Sequence, residues 1–240
     1  MERKVKVMDK SSDAKAVNGR PATYTPIHKG LRSKLFEVSV KAGRIDYADQ
    51  AALNGFYDEF ASLVASIRQH HTMEEKFYHP LLADSVPGGA EKLEEEHEVV
   101  EHLMNNLLAY LDRIKSKSAK FEKRRELGRE FYLAFNRFIA FFLNHIDGEE
   151  EHYEPTLNNL CTVEELENAQ ASLLRSQKPE EGLQNLQMIL AAANVDDLAE
   201  LIAEARAALP PEMIQGGFQL AESILSAQDL AALKAKVGVK

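Results

Sequence analysis

The sequence is poor in the residues that mark several large classes of protein. It has one cysteine, Cys161, and no tryptophan among its 240 residues. A single cysteine excludes an internal disulfide framework, disfavours a thiolate metal site and is typical of a protein in the reducing cytosol. No apolar run reaches the length needed to cross a bilayer, and the N-terminus lacks the apolar core of a secretory signal. These absences predict a cytoplasmic protein without a membrane-embedded part.

Acidic residues outnumber basic ones, and the basic residues form no continuous pattern. The chain has 38 Asp and Glu against 29 Lys and Arg, which gives a formal net charge of -9. No basic stripe with interleaved aromatic residues is present, so the sequence predicts no nucleic-acid partner. Residues 1–20 are polar and without apolar periodicity, and we expect them to form a flexible N-terminal tail.

Strand-type alternation is nearly absent, whereas apolar residues recur every three or four positions over long stretches. Four such stretches predict helices at about 26–41, from 48 to beyond 77, at 90–115 and at 119–154. Short connections join them. We therefore expect an all-α fold in which residues 21–160 form an antiparallel up-down four-helix bundle.

The character of the chain changes after this region. Histidine disappears, alanine becomes frequent, and Thr162 with Glu165 forms the pattern of a capping box that opens a new helix. Shorter helices are predicted at about 179–192, 195–208, 211–225 and 228–237. We expect residues 161–240 to be a C-terminal helical extension that packs on the bundle, binds a protein partner or mediates self-association.

The bundle region contains one short module twice. In each copy a histidine is followed by glutamate at the fourth and fifth positions and by proline at the tenth. The copies are His70, Glu74, Glu75 and Pro80, and His145, Glu149, Glu150 and Pro155. Residues four apart on a helix lie on one face, so each module presents an imidazole beside a carboxylate. Two facing pairs would form a nitrogen and oxygen site suited to iron, manganese or zinc.

The two remaining helices each carry a histidine at a core position, His28 and His97. A polar group in a core costs free energy unless a partner satisfies it. One core histidine on each of four helices favours a shared metal site over four separate structural roles. The predicted ligands are His28, His70, Glu74, His97, His145 and Glu149.

His71 competes with His70 for the ligand position, because it too has a glutamate four residues later. The ten-residue span from His70 to Pro80 equals the span from His145 to Pro155, and this match favours His70. His71 is expected beside the site or at the surface.

Glu101 lies four residues after His97, and three roles are open to it: a further ligand, an orienting partner of His97 or a solvated residue. Three other histidines are expected beside the ligands or exposed: His79, His102 and His152. Glu75 and Glu150 are expected to be exposed or to pair with Lys or Arg.

Taken together, these residues resemble the hemerythrin-like HHE cation-binding family over about residues 24–160. That family has a histidine on its first helix, H-x-x-x-E-E followed by proline on the second, E-H on the third and H-x-x-x-E on the fourth. The resemblance implies two iron ions at the middle of the bundle, bridged by carboxylates and by an oxo or hydroxo group. It implies that Glu74 and Glu149 bridge, that the four histidines are terminal ligands, and that one position stays open for a small molecule.

The sequence departs from oxygen-carrying hemerythrins, which have a second histidine where this chain has Glu101. The resemblance therefore favours a protein that binds, senses or turns over oxygen, peroxide or nitric oxide over one that stores oxygen. Two alternatives are a di-iron oxidase or oxygenase acting on a small organic substrate, and a metal-dependent sensor or interaction module. Phenylalanines are expected to line the open position: Phe60, Phe77, Phe131, Phe138 and Phe141.

Overall fold

A computed structural model describes residues 23–86, 88–116 and 121–239, and within these ranges the chain is helical and without strands. The predicted tail, residues 1–20, lies outside the described residues. The elements are α1 Thr25–Arg44, α2 Gln50–Phe77, α3 His79–Ser85, α4 Glu91–Lys115, α5 Phe121–Gly148, a π-helical turn Glu149–Tyr153, α6 Glu154–Leu160, α7 Val163–Ser176, α8 Pro179–Ala192, α9 Val195–Ala208, α10 Pro211–Ile224 and α11 Ala227–Lys236. The all-α prediction is confirmed. No helix in the described ranges is long and apolar enough to span a membrane.

The four long helices α1, α2, α4 and α5 form a closed ring. Each contacts the next in the chain, and α5 contacts α1. On α1 and α2, His28 lies against His70, whereas Lys41, further along α1, binds Glu59, which lies earlier on α2. Contacts of this kind fit the predicted antiparallel arrangement.

The proline of each repeated module lies just after a change in the helix that carries the ligands. Helix α2 ends at Phe77, and Pro80 lies in the first turn of α3. Helix α5 passes at Glu149 into a single π-helical turn, and Pro155 lies in the first turn of α6. Proline lacks an N–H and clashes with the preceding turn, so the predicted helices through 77 and to 154 are each divided in the structure. A π-helical turn inside a long helix is often a feature of a functional site.

Aromatic side chains of α5 fill the interior of the four-helix ring. Phe131, Phe135, Phe138 and Phe142 are buried and follow one another with ring centroids 5.8, 6.2 and 5.8 Å apart. The expected lining residue Phe141 is only partly buried, because the inward face passes through its neighbour Phe142.

The C-terminal helices pack directly on the bundle. Helix α8 lies along α1, and α7 contacts both α2 and α9. A Cβ atom on Gly30 would lie 3.0 Å from the carbonyl carbon and the Cβ of Met188, so α8 approaches α1 where α1 has no side chain. Lys29 binds the buried carboxylate of Asp197 on α9. The extension is thus held against the part of α1 that carries His28.

Local signals account for the start of this region. The Thr162 hydroxyl accepts a hydrogen bond from the backbone of Glu165, whose carboxylate binds back to Thr162, as predicted for the capping box. Leu166 of α7 packs with Tyr24, Tyr78 and Leu157 in one small core. This core contains residues from both sides of residue 160. The domain boundary placed at residue 160 stays a prediction.

Candidate metal centre

All six predicted ligands lie together and buried inside the helical ring. The potential donor atoms form two adjoining groups, and within each group they all lie within 4.8 Å of one another. One group is His28, His70, Glu74 and Glu149, and the other is His71, His97 and His145. The sequence modules therefore converge as expected, and His71 joins them.

The two glutamates belong to the first group, and each also directs one oxygen towards the second group. Glu74 Oε1 is 3.1 Å from His70 Nε2, and its Oε2 is 3.5 Å from His97 Nε2. Glu149 Oε2 is 3.4 Å from His28 Nε2, and its Oε1 is 3.4 Å from His145 Nε2. The two groups thus share both carboxylates.

Most of the inward-facing atoms lack a hydrogen-bond partner, and the exception is the 3.1 Å contact between Nε2 of His28 and Nε2 of His70. Both carboxylate oxygens of Glu74 and of Glu149 are buried without a hydrogen-bond partner, as are the Nε2 atoms of His71, His97 and His145. Buried polar atoms without partners are rare and each costs about 1–3 kcal/mol. Seven such atoms in one buried cluster fit bound metal cations, which would satisfy these atoms together. Imidazole and carboxylate donors without a thiolate suit iron, manganese or zinc.

Three of the histidines are held on their outer side by a carboxylate from a neighbouring helix. In each pair Nδ1 lies 2.9 Å from a glutamate oxygen. The pairs are His28 with Glu150, His97 with Glu75 and His145 with Glu96. Because a carboxylate only accepts, Nδ1 carries the proton and Nε2 faces the centre as a potential donor to metal.

These pairs explain the doubled glutamate of each module. Adjacent residues of a helix point about 100° apart. Glu74 therefore faces the centre while Glu75 reaches sideways to α4, and Glu149 faces the centre while Glu150 reaches α1. Glu150 binds Arg32 at 2.6 Å, as expected from the sequence. The contacts of Glu75 with His97 and of Glu150 with His28 were not predicted.

In the metal-free cluster, the histidines differ in their pKa values and so in their protonation at neutral pH. Burial lowers the pKa of His28, but the hydrogen bond to Glu150 and the nearby carboxylates of Glu74 and Glu149 outweigh it and raise the pKa to about 9. Burial likewise lowers the pKa of His97, and the contacts with Glu149 and Glu74 raise it to about 10. Burial lowers the pKa of His70 to about 3. At neutral pH, His28 and His97 hold protons that compete with a metal ion, whereas His70 does not.

We expect the affinity of the centre for a divalent cation to rise with pH from about 6 to 9, by up to about tenfold per pH unit for each proton released. His28 and His97 are protonated below pKa values of about 9 and 10, so each must lose a proton before Nε2 can bind. Titration of zinc against a competing chelator at several pH values measures this slope. An affinity that does not change with pH would contradict it.

The sequence left two positions open for His71, beside the site or at the surface. The structure places it beside the site. It is 5% exposed, and its ring stacks flat on that of His97 with centroids 3.8 Å apart. It also lies 5.4 Å from the ring of His145. Sequence spacing could not reveal this, because the position beside an inward-facing residue faces the neighbouring helix α4.

Glu101, the possible additional ligand, is not brought into the cluster. Its carboxylate binds Arg68 through two guanidinium nitrogens, at 2.9 and 2.7 Å, and also accepts from Asn105. The side chain is 44% exposed. The structure thus places Glu101 in an ion pair with a residue of α2, away from the cluster.

The remaining predicted neighbours differ in their placement. His79 is buried, with its ring 5.2 Å from that of His97, while His102 and His152 are exposed. Phe142 is the phenylalanine nearest His145, at 6.2 Å between ring centroids. Phe77 is only partly buried.

A ring of four helices enclosing a buried cluster of histidines and glutamates defines a metal-binding helical bundle. The family model of the hemerythrin HHE cation-binding domain matches residues 22–157, which is more than half of the chain and includes all six predicted ligands. The chain therefore belongs to the hemerythrin HHE family. No curated protein and no solved structure matches it.

Proposed function

We propose that the chain holds two iron ions and binds or turns over a small oxidant, namely oxygen, peroxide or nitric oxide. The observation that carries this proposal is the pair of donor groups that share Glu74 and Glu149. One ion would be held by His28 and His70, and the other by His97 and His145, with His71 beside it. Iron bound there would supply electrons and an open coordination position to the oxidant.

The surrounding residues would control what reaches that position. Phe138 and Phe142 fill the interior of the four-helix ring next to the cluster and would exclude water from that side of it. An apolar wall favours neutral diatomic molecules over ions, because a charged molecule would lose its hydration. The glutamates behind the histidines keep the imidazole rings fixed while a ligand binds or leaves.

Two features of the chain favour iron over a purely structural zinc. A structural zinc site has four donors and no vacancy, whereas this cluster presents donors for two ions. The cluster also lies in an HHE domain, a cation-binding domain often associated with iron.

Titration of nitric oxide into the reduced, iron-loaded protein tests the proposal. We expect new visible absorption that saturates at a fixed ratio of nitric oxide to iron, and oxidation of the centre on adding oxygen or peroxide. An iron-loaded protein whose spectrum responds to none of the three would overturn the proposed function.

A further inference from the structure

The C-terminal extension encloses a cavity against the candidate metal centre. The cavity has a volume of about 80 Å³, and His70 and Glu74 form part of its wall. Residues of α7, α8 and α9 form the opposite wall, including Leu173, Ile189 and Leu201. The bundle alone would leave this side of His70 and Glu74 uncovered.

The lining of the cavity is mostly apolar, and two of its buried polar groups away from the metal centre, Tyr78 and Gln170, already have partners. The Tyr78 hydroxyl donates to Gln170 Oε1, and Gln170 Nε2 donates to Glu204 at 3.0 Å. Neither group needs a ligand to satisfy it. The described lining therefore offers an apolar surface to most of a bound molecule and leaves the metal position as the polar end.

The charge of the lining residues further limits which molecules the cavity can bind. No lysine or arginine occurs among the described residues that line the cavity, and Glu74 contributes a carboxylate to it. An anion would meet no compensating charge on the way in and would lose its hydration. Neutral molecules do not pay this cost.

The volume of the cavity sets an upper limit on the size of a bound molecule. A dry apolar cavity of about 150 Å³ accommodates benzene, so one of about 80 Å³ suits a molecule of about four non-hydrogen atoms or fewer. Partly exposed Gln177 and Asn185 also line the cavity, near the junction of α7 and α8.

We propose that the C-terminal extension forms an entry chamber for the metal centre, which admits small neutral molecules and excludes anions and larger substrates. The proposal rests on the proposed function in one respect, that the molecule admitted is the oxidant that reaches the metal. The chamber itself can be tested without iron.

The first experiment probes the chamber with xenon, an apolar atom that binds in apolar cavities. Zinc-loaded wild-type protein should bind one xenon against Leu174, seen in xenon-pressurised crystals or by xenon NMR. Leu174→Trp should fill the space and abolish xenon binding, because Leu174 lines the cavity and is only partly buried. Leu183→Trp is the matched control on α8, since Leu183 is 54% exposed and does not line the cavity.

The second experiment measures nitric oxide association with the reduced, iron-loaded proteins by stopped flow. We expect Leu174→Trp to slow association by about tenfold or more at equal iron content, and Leu183→Trp to leave it unchanged. If Leu174→Trp does not fold, Leu174→Phe gives the same comparison with a smaller side chain.

The outcomes separate the two proposals. Absence of xenon from the wild type, or an unchanged association rate in a variant that has lost xenon, would overturn the entry chamber. Wild-type iron protein that binds xenon but no nitric oxide would instead overturn the proposed oxidant chemistry.

Discussion

Replacement of Glu149 by glutamine is expected to lower the iron content of the purified protein by about tenfold or more. Glu149 is fully buried and directs one oxygen to His28 and the other towards His97 and His145. Glutamine is uncharged and keeps a single acceptor oxygen, so it could not serve both ions of the proposed centre. Iron analysis of wild type and variant, prepared side by side from iron-supplemented cells, measures the effect.

Stability of the metal-free protein separates lost ligation from a damaged fold. Burial and the charge of Glu74 raise the pKa of Glu149, so ionised Glu149 is unfavourable in the absence of metal. Glutamine keeps the shape and removes that charge, and the metal-free variant should melt no lower than metal-free wild type. Glu101→Gln, on the exposed face of α4, is the matched control and should keep its iron. A Glu149→Gln protein with full iron content would refute the shared-carboxylate centre.

The second large effect is expected at His71. Replacing it by phenylalanine should weaken the binding of one ion by about tenfold to a hundredfold and leave the other in place. The Nε2 atom of His71 is buried, lacks a hydrogen-bond partner and belongs to the group formed with His97 and His145. Phenylalanine retains a ring to stack on His97, so a loss of metal reports on the nitrogen rather than on the stacking.

Sequential zinc titration, which resolves two binding steps, measures the effect of His71→Phe. His102→Phe is the control, because His102 is an exposed histidine of α4. Two unchanged binding steps in the His71 variant would show that its nitrogen contributes nothing to the centre, as the module spacing had suggested.

The parts of the structure that follow local rules could be predicted from the sequence. The helices predicted at 179–192 and 195–208 match α8 and α9, because proline and capping residues mark their starts. The repeated modules identified the inward faces of α2 and α5, because a histidine and a glutamate four apart have few other reasons to lie in a core.

The parts that depend on neighbouring helices could not be predicted. His71 and Glu75 each lie one position away from an inward-facing residue, and their roles arise only because α4 packs against that side of α2. The case against oxygen storage relied on Glu101 in place of a fifth histidine. His71 supplies a fifth buried imidazole from a different helix, so that argument no longer holds in its original form. The cavity beside His70 and Glu74, likewise, is lined in part by residues of α8, a helix that approaches α1 closely at Gly30.

The most direct test of the two-iron centre is metal analysis of the full chain, purified without added chelator from cells grown with iron, together with its optical spectrum before and after oxidation. The account predicts close to two irons per chain and an absorption spectrum that changes with oxidation state. A protein that contains no metal, or a single zinc that iron cannot replace, would contradict it.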